Sequence, residues 1–216
     1  MALIIVTVIY FLVFLSCVIF SFKQWYYRID NDYLYIYLSI IFLIDLSVLG
    51  MQFFLKADIS VIYLLADLIN IVFTYIFFRR QIEKNNSLAI ITGLAIIIVL
   101  CLQDWQNLFY NDYCSVISCI YTIVICLVGL YKIVETKFAV ERKIQNIPFF
   151  WYAAASLLWN TAFLMRTIPR FYFQTNDTEF MEELRLFFAI VNIITYVLFF
   201  KLLLTYQKNG KTAVCR

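Results

Sequence analysis

The sequence predicts an all-α, polytopic integral membrane protein, folded as a bundle of seven transmembrane helices. Two observations lead to this fold class: 64% of the 216 residues are hydrophobic, and only 14% are charged. Soluble domains are roughly 45–50% apolar and about 25% charged, so this chain has more apolar surface than a water-soluble core can bury. Four glycines and two prolines leave few turn residues. We therefore expect short loops and a single transmembrane domain over 1–216.

Seven stretches are long and apolar enough to be spans, because a bilayer core about 30 Å thick requires roughly 20 apolar residues per helix. They are 2–22, 33–55, 59–78, 87–103, 113–134, 147–168 and 184–206. The first stretch lacks the basic segment and the small-residue cleavage site of a signal peptide, so we expect it to remain as a helix. Polar segments such as 23–32, 79–86 and 137–146 separate later spans, and the fourth span contains Thr92 and Gly93.

The basic residues predict the orientation of the bundle, because cytoplasmic loops of membrane proteins collect Lys and Arg. With seven spans, 13 basic residues fall on the side of the C-terminus, and four fall on the side of the N-terminus. The N-terminus is therefore expected outside and the C-terminus in the cytoplasm, in a multi-pass protein of the cytoplasmic (plasma) membrane. The net charge of +3 reflects this asymmetry, and no nucleic-acid partner is expected.

The basic inner loops have two interpretations. They are most simply the charges that stop translocation, and they also offer a surface for a cytoplasmic protein partner or anionic lipid. The residues concerned are Arg79, Arg80, Lys137, Arg142 and Lys143.

Two carboxylates, Asp45 and Asp67, lie midway along the second and third spans. Ionisable groups at membrane depth usually face the bundle interior or a wet cavity. Other polar residues recur at steps of three, four or seven, which places them on one face of each helix. The alternative is that these groups only form hydrogen bonds between helices.

These faces together predict a ligand-binding cavity open to the outside, with an acidic floor at Asp45 and Asp67 and a basic rim. The predicted site residues are Asp45, Asp67, Asn70, Asn160, Asn192, Tyr63, Gln52, Arg166 and Arg185. Most Tyr and Trp residues are instead expected at the headgroup level, where aromatic rings form belts.

The sequence contains no histidine and six cysteines, none of them in a CxxC pair. No metal site and no cofactor are therefore expected. Cys101 and Cys114 flank an outer loop, and they either form a disulfide or serve as small apolar residues. No nucleotide-binding, hydrolase or kinase motif is present, so the protein is not expected to be an enzyme.

The order of the spans is compatible with a 3-1-3 parallel repeat, in which spans one to three correspond to spans five to seven. The repeat aligns Asp45 with Asn160 and Asn70 with Asn192. In length, orientation and these asparagines the layout resembles that of the sugar-transporting SWEET family. The Pro-Gln motifs of that family have no counterpart here, since the two prolines are Pro148 and Pro169.

Three functions are compatible with these features. A sensor or accessory protein would bind a small ligand or lipid in the cavity and signal through a cytoplasmic partner, and this is the expected function. The alternative is a transporter or channel for a small solute or for a cation, with coupling to protons. However, rocking transporters usually have Gly or Pro near the site. A lipid-modifying enzyme acting through two carboxylates is a third hypothesis.

Overall fold

A computed structural model describes residues 2–27, 29–51, 60–82, 86–103, 112–135, 144–173 and 178–214. This part of the chain contains seven α-helices and one short 3-10 turn, Ile144–Asn146. The helices are α1 (Ala2–Tyr26), α2 (Leu34–Gly50), α3 (Ser60–Gln81), α4 (Asn86–Leu102), α5 (Asp112–Glu135), α6 (Pro148–Phe173) and α7 (Thr178–Val214). The all-α prediction is thus confirmed for the described residues.

Each helix coincides with one of the predicted apolar stretches, and the differences lie at the ends. Pro148 is the first residue of α6, a position where its missing N–H is not needed. The helix then continues through Pro169 to Phe173. Helix α7 begins before the apolar stretch and includes the charged residues Glu182 and Glu183. Hydropathy detects the apolar part of a helix and misses such polar ends.

Among the described residues, four segments are long and apolar enough to cross a membrane: Ile4–Tyr26, Val61–Gln81, Tyr113–Glu135 and Glu182–Lys208. Helices α2 and α4 are apolar but have only 17 residues each in the described part of the chain. Large apolar side chains are exposed along every helix, for example Val8 on α1 and Leu94 on α4. An apolar surface of this extent requires an apolar solvent, which indicates a helical membrane protein.

Helices that are neighbours in sequence are also neighbours in space, and α7 packs against α1 to close a ring. Helix α3 additionally contacts α5 and α6, so it lies towards the inside of the bundle. The core is largely aromatic. The rings of Phe14 and Tyr196 stack with centroids 3.8 Å apart, and those of Tyr37 and Phe73 stack at 4.0 Å.

Gly129 marks the closest approach of α5 to α6. A Cβ atom at this position would overlap the ring of Phe149 and would lie 3.2 Å from that of Phe78. Both rings are buried and cannot withdraw easily. The absence of a side chain at Gly129 therefore permits this helix contact.

The turn between α1 and α2 is fixed by the Asp32 cluster, which consists of Asp32, Arg80, Gln81 and Tyr206. The Asp32 carboxylate accepts hydrogen bonds from Arg80 over 3.1 Å, from Tyr206 over 2.5 Å, and from Gln81. The Arg80 guanidinium also lies 4.2 Å above the ring of Tyr33. These contacts hold Asp32 and Tyr33 at positive φ, a conformation that non-glycine residues rarely adopt. The cluster thereby joins the turn to the ends of α3 and α7.

A candidate ligand-binding cavity

A cavity of about 440 Å³ lies between α1, α2, α3, α5, α6 and α7. It occupies the half of the bundle that contains the C-terminal halves of α2 and α6 and the N-terminal halves of α3 and α7. Its volume falls within the roughly 300–1,000 Å³ typical of small-molecule sites. The structure brings seven of the predicted site residues into its lining: Asp45, Tyr63, Asp67, Asn70, Asn160, Arg166 and Asn192.

Asp45 projects from the middle of α2 towards α1. Its carboxylate accepts a hydrogen bond from the hydroxyl of Tyr10. The Tyr10 ring in turn packs against that of Tyr196, with centroids 5.5 Å apart. Side chains of α1 and α7 therefore surround the Asp45 carboxylate on this side of the cavity.

Asp67 is held on the opposite side by α5. Ser115 donates to its two carboxylate oxygens over 3.0 and 3.3 Å. Ser118, one turn further along α5, donates to the Asp67 carbonyl over 3.5 Å. The face of small hydroxyl residues on α5 therefore positions Asp67 in the lining.

The floor of the cavity includes a layer of neutral, hydrogen-bonded side chains. Tyr37 lies two turns before Asp45 on α2, and its hydroxyl donates to Asn70 Oδ1 over 3.3 Å. Asn70 then donates to Thr122 over 3.4 Å. Both aspartates line the same cavity as Tyr37 and Asn70, and the acidic floor stays a prediction.

Beneath the floor the bundle is closed by buried side chains. The hydroxyls of Thr74 and Tyr152 lie 2.7 Å apart and are fully buried. The ring of Phe77 packs on Tyr152 with centroids 4.4 Å apart. This layer separates the cavity from the opposite end of the bundle.

Two asparagines face the cavity from α6 and α7 with different hydrogen bonding. Asn192 Oδ1 accepts a hydrogen bond from the indole N–H of Trp159 over 2.9 Å. Asn160 is 2% exposed, and its amide N–H donates to the Ser156 carbonyl over 2.6 Å. Its Oδ1 atom has no hydrogen-bond partner among the described residues. A buried acceptor of this kind is costly unless a ligand or water satisfies it.

The basic rim is smaller than predicted. The Arg166 guanidinium lies 4.9 Å from the ring centre of Phe188, and both residues line the cavity. Arg185 is exposed at the start of α7 and does not line the cavity. Gln52 lies outside the described residues.

Sequence reasoning missed most of the aromatic lining. Tyr10, Trp159, Phe163, Phe188 and Tyr196 all line the cavity, whereas aromatic residues were predicted mainly at the membrane surface. One signal was available for Tyr10, because it is a polar ring within an otherwise strongly apolar first span.

Of the two alternatives for Cys101 and Cys114, the disulfide is not formed in this structure. Cys101 and Cys114 are both free thiols; Cys101 is exposed, and Cys114 is buried. The Cys114 thiol points towards α4 and contacts the carbonyl of Val99 over 3.5 Å. Cys114 thus packs as a small core residue between α4 and α5.

At the other end of the bundle, the two arginines of the predicted partner surface differ. Arg80 pairs with Asp32 and belongs to the Asp32 cluster. Arg79 is exposed and donates to the hydroxyl of Tyr75 over 3.3 Å. The other three basic residues of that surface, Lys137, Arg142 and Lys143, lie outside the described residues.

The chain matches no known protein-family model, and no curated protein or solved structure is significantly similar to it.

Proposed function

We propose that this protein is a receptor-like or accessory membrane protein that binds a small ligand in the cavity. The observation that carries the proposal is the cavity itself, where two carboxylates and three asparagines from four helices converge. A well-formed pocket with a few converging polar groups is the usual form of a small-molecule site.

With a seven-span topology, this cavity would lie in the outer half of the membrane. Its support is the 13-to-4 distribution of basic residues, which puts the N-terminus outside. With the N-terminus outside, the ligand would enter the cavity from outside the cell, and the buried layer at Thr74 and Tyr152 would close the bundle on the inner side. The protein is then a multi-pass protein of the plasma membrane, surrounded by lipid.

A signal from the cavity would pass to the inner end through α3 and α7. Both helices line the cavity, and both are tied to the α1–α2 turn by the Asp32 cluster. Arg79 is exposed beside that cluster. It would offer a positively charged side chain to a cytoplasmic protein partner, and the sequence predicts Lys137, Arg142 and Lys143 on the same side of the membrane.

The alternative is a transporter or channel with a 3-1-3 repeat. It is favoured by one observation: the residues that the repeat would pair, Asp45 with Asn160 and Asn70 with Asn192, all line the cavity. Against it, the described lining contains neither Gly nor Pro, whereas broken helices are typical of transporter sites. The sequential ring of helices also favours a single bundle over two separate units.

A lipid-modifying enzyme is supported only by the two carboxylates.

Ligand binding is tested by filling the cavity. Ala66 lines the cavity, and Ala89 is exposed on α4 outside it, so Ala66→Phe and Ala89→Phe add the same side chain at a functional and a control position. Native mass spectrometry of protein extracted from its own membrane should detect a bound small molecule in the wild type and in Ala89→Phe. We expect that molecule to be lost in Ala66→Phe. A wild-type protein without a bound molecule, or an Ala66→Phe variant that keeps it, would contradict the proposal.

A further inference from the structure

We infer that the ligand is a small organic cation, namely a protonated or quaternary amine attached to an apolar, preferably aromatic, body. This inference rests on the proposed ligand-binding function and names the chemical class that the cavity accepts. Three features of the lining support it: its formal charge, an unsatisfied acceptor and its aromatic surfaces.

The formal charge of the described lining is negative. Two carboxylates, Asp45 and Asp67, are present against one guanidinium, Arg166. The hydrogen bond that Asp45 accepts comes from the neutral hydroxyl of Tyr10, and no cationic side chain pairs with Asp45 in the described part of the chain. Because an uncompensated charge is costly in a low-dielectric interior, a monocation would balance the lining.

Asn160 gives a second, independent indication. Its side chain lines the cavity and is 98% buried, and its amide N–H is already used by the Ser156 carbonyl. What remains is the second amide N–H and an acceptor oxygen without a donor among the described residues. A ligand that donates a hydrogen bond would satisfy this oxygen, whereas a ligand carboxylate would be repelled by it.

The aromatic lining supplies the third feature. Trp159 stacks on Phe163 with ring centroids 5.2 Å apart, and Tyr10 and Tyr196 lie across the cavity beside Asp45. Aromatic faces attract cations and also pack against apolar groups. Arg166 already occupies the face of Phe188, and this contact illustrates the type of interaction that the other rings offer.

The charge preference is testable with three probes that share one body: phenylethylammonium, 2-phenylethanol and phenylacetate. Trp159 serves as the fluorescent reporter, in a variant in which Trp25, Trp105 and Trp151 are replaced by Phe. We expect saturable quenching by the cation at a concentration at least about tenfold lower than that needed for the alcohol, and weaker binding of the anion. A reporter control retains only Trp25, which lies at the other end of α1, and should show no saturable response.

Three variants identify the residues that produce the preference for the cation over the alcohol. Asp45→Asn and Asp67→Asn should each reduce the cation-to-alcohol ratio to about threefold or less, while binding of the alcohol persists and shows that the cavity is intact. Glu182→Gln removes an exposed acidic group outside the lining and should leave the ratio unchanged.

The outcomes separate this inference from the proposed function. Equal binding of cation and alcohol, or tighter binding of the anion, would overturn the cationic class while supporting a ligand-binding cavity. Failure of all three probes to saturate would also overturn the cationic class. The proposed function would then be judged by the co-purified molecule and its loss in Ala66→Phe.

Discussion

Asp32 illustrates at the scale of one residue how a loop side chain organises the end of the bundle opposite the cavity. Its side chain is 12% exposed and accepts hydrogen bonds from Arg80, Gln81 and Tyr206. The neighbouring Asp30 also lies near Arg80, at 3.6 Å, but its side chain is 80% exposed. Solvent screens an exposed ion pair strongly, whereas hydrogen bonds to a buried charge contribute more. The two aspartates therefore differ in their contribution to stability.

Asp32→Asn is expected to lower the free energy of unfolding by about 1.5–3 kcal/mol, because the amide replaces one acceptor oxygen by a donor that faces other donors. Asp30→Asn, the matched control, should change it by less than about 1 kcal/mol. Equilibrium unfolding in mixed micelles measures both values. Equal effects of the two substitutions would show that the Asp32 cluster does not stabilise the fold.

The polar residues of the cavity were largely predictable, because helical spacing places them on one face of each span. Asn70 and Asn160, for instance, follow that spacing on α3 and α6. The position of Asp32 was not predictable, since it lies in a turn whose conformation depends on contacts with α3 and α7. The aromatic lining was also not predictable. Periodicity alone does not distinguish a ring that faces lipid from a ring that faces a cavity.

At the scale of helices, the packing of α5 against α6 depends on Gly129. The buried ring of Phe149 occupies the space that a side chain would need. Gly93 on α4 is a natural comparison, because a Cβ atom there would have no heavy atom within 4 Å. Because both residues are glycines, their intrinsic helix propensity is the same, and only their surroundings differ.

Gly129→Ala should therefore destabilise the protein by about 1–3 kcal/mol through overpacking. Gly93→Ala should instead stabilise it by up to about 1 kcal/mol, because alanine loses less backbone entropy in a helix. Thermal unfolding in detergent reveals the sign of each change. Destabilisation of similar size in both variants would refute the close α5–α6 contact.

Helix number and order followed from hydropathy, because each helix contains an uninterrupted apolar stretch. The ends of the helices did not follow from hydropathy, because polar residues can extend a helix beyond its apolar part, as they do in α7. The helix order also leaves the lateral packing undetermined. That α3 lies inside the ring and that α1 contributes Tyr10 to the cavity are results of tertiary structure.

For the whole molecule, we propose a cavity that is accessible from one side of the membrane and closed towards the other. The inner closure rests on the layer of Tyr37, Thr74 and Tyr152, and the sidedness rests on the distribution of basic residues. A transporter would expose the same residues to both sides in turn, whereas a receptor-like protein exposes them to one side.

The most direct test is sided labelling of Asn192→Cys with a charged, membrane-impermeant thiol reagent, in sealed right-side-out and inside-out vesicles. The background carries Cys101→Ser and Cys215→Ser, and Val140→Cys, in the predicted inner loop, is the reference that should react only from the inside. We predict that Asn192→Cys reacts from the outside only. Reaction from both sides would favour the transporter, and reaction from the inside alone, or from neither side, would contradict a ligand cavity open to the outside.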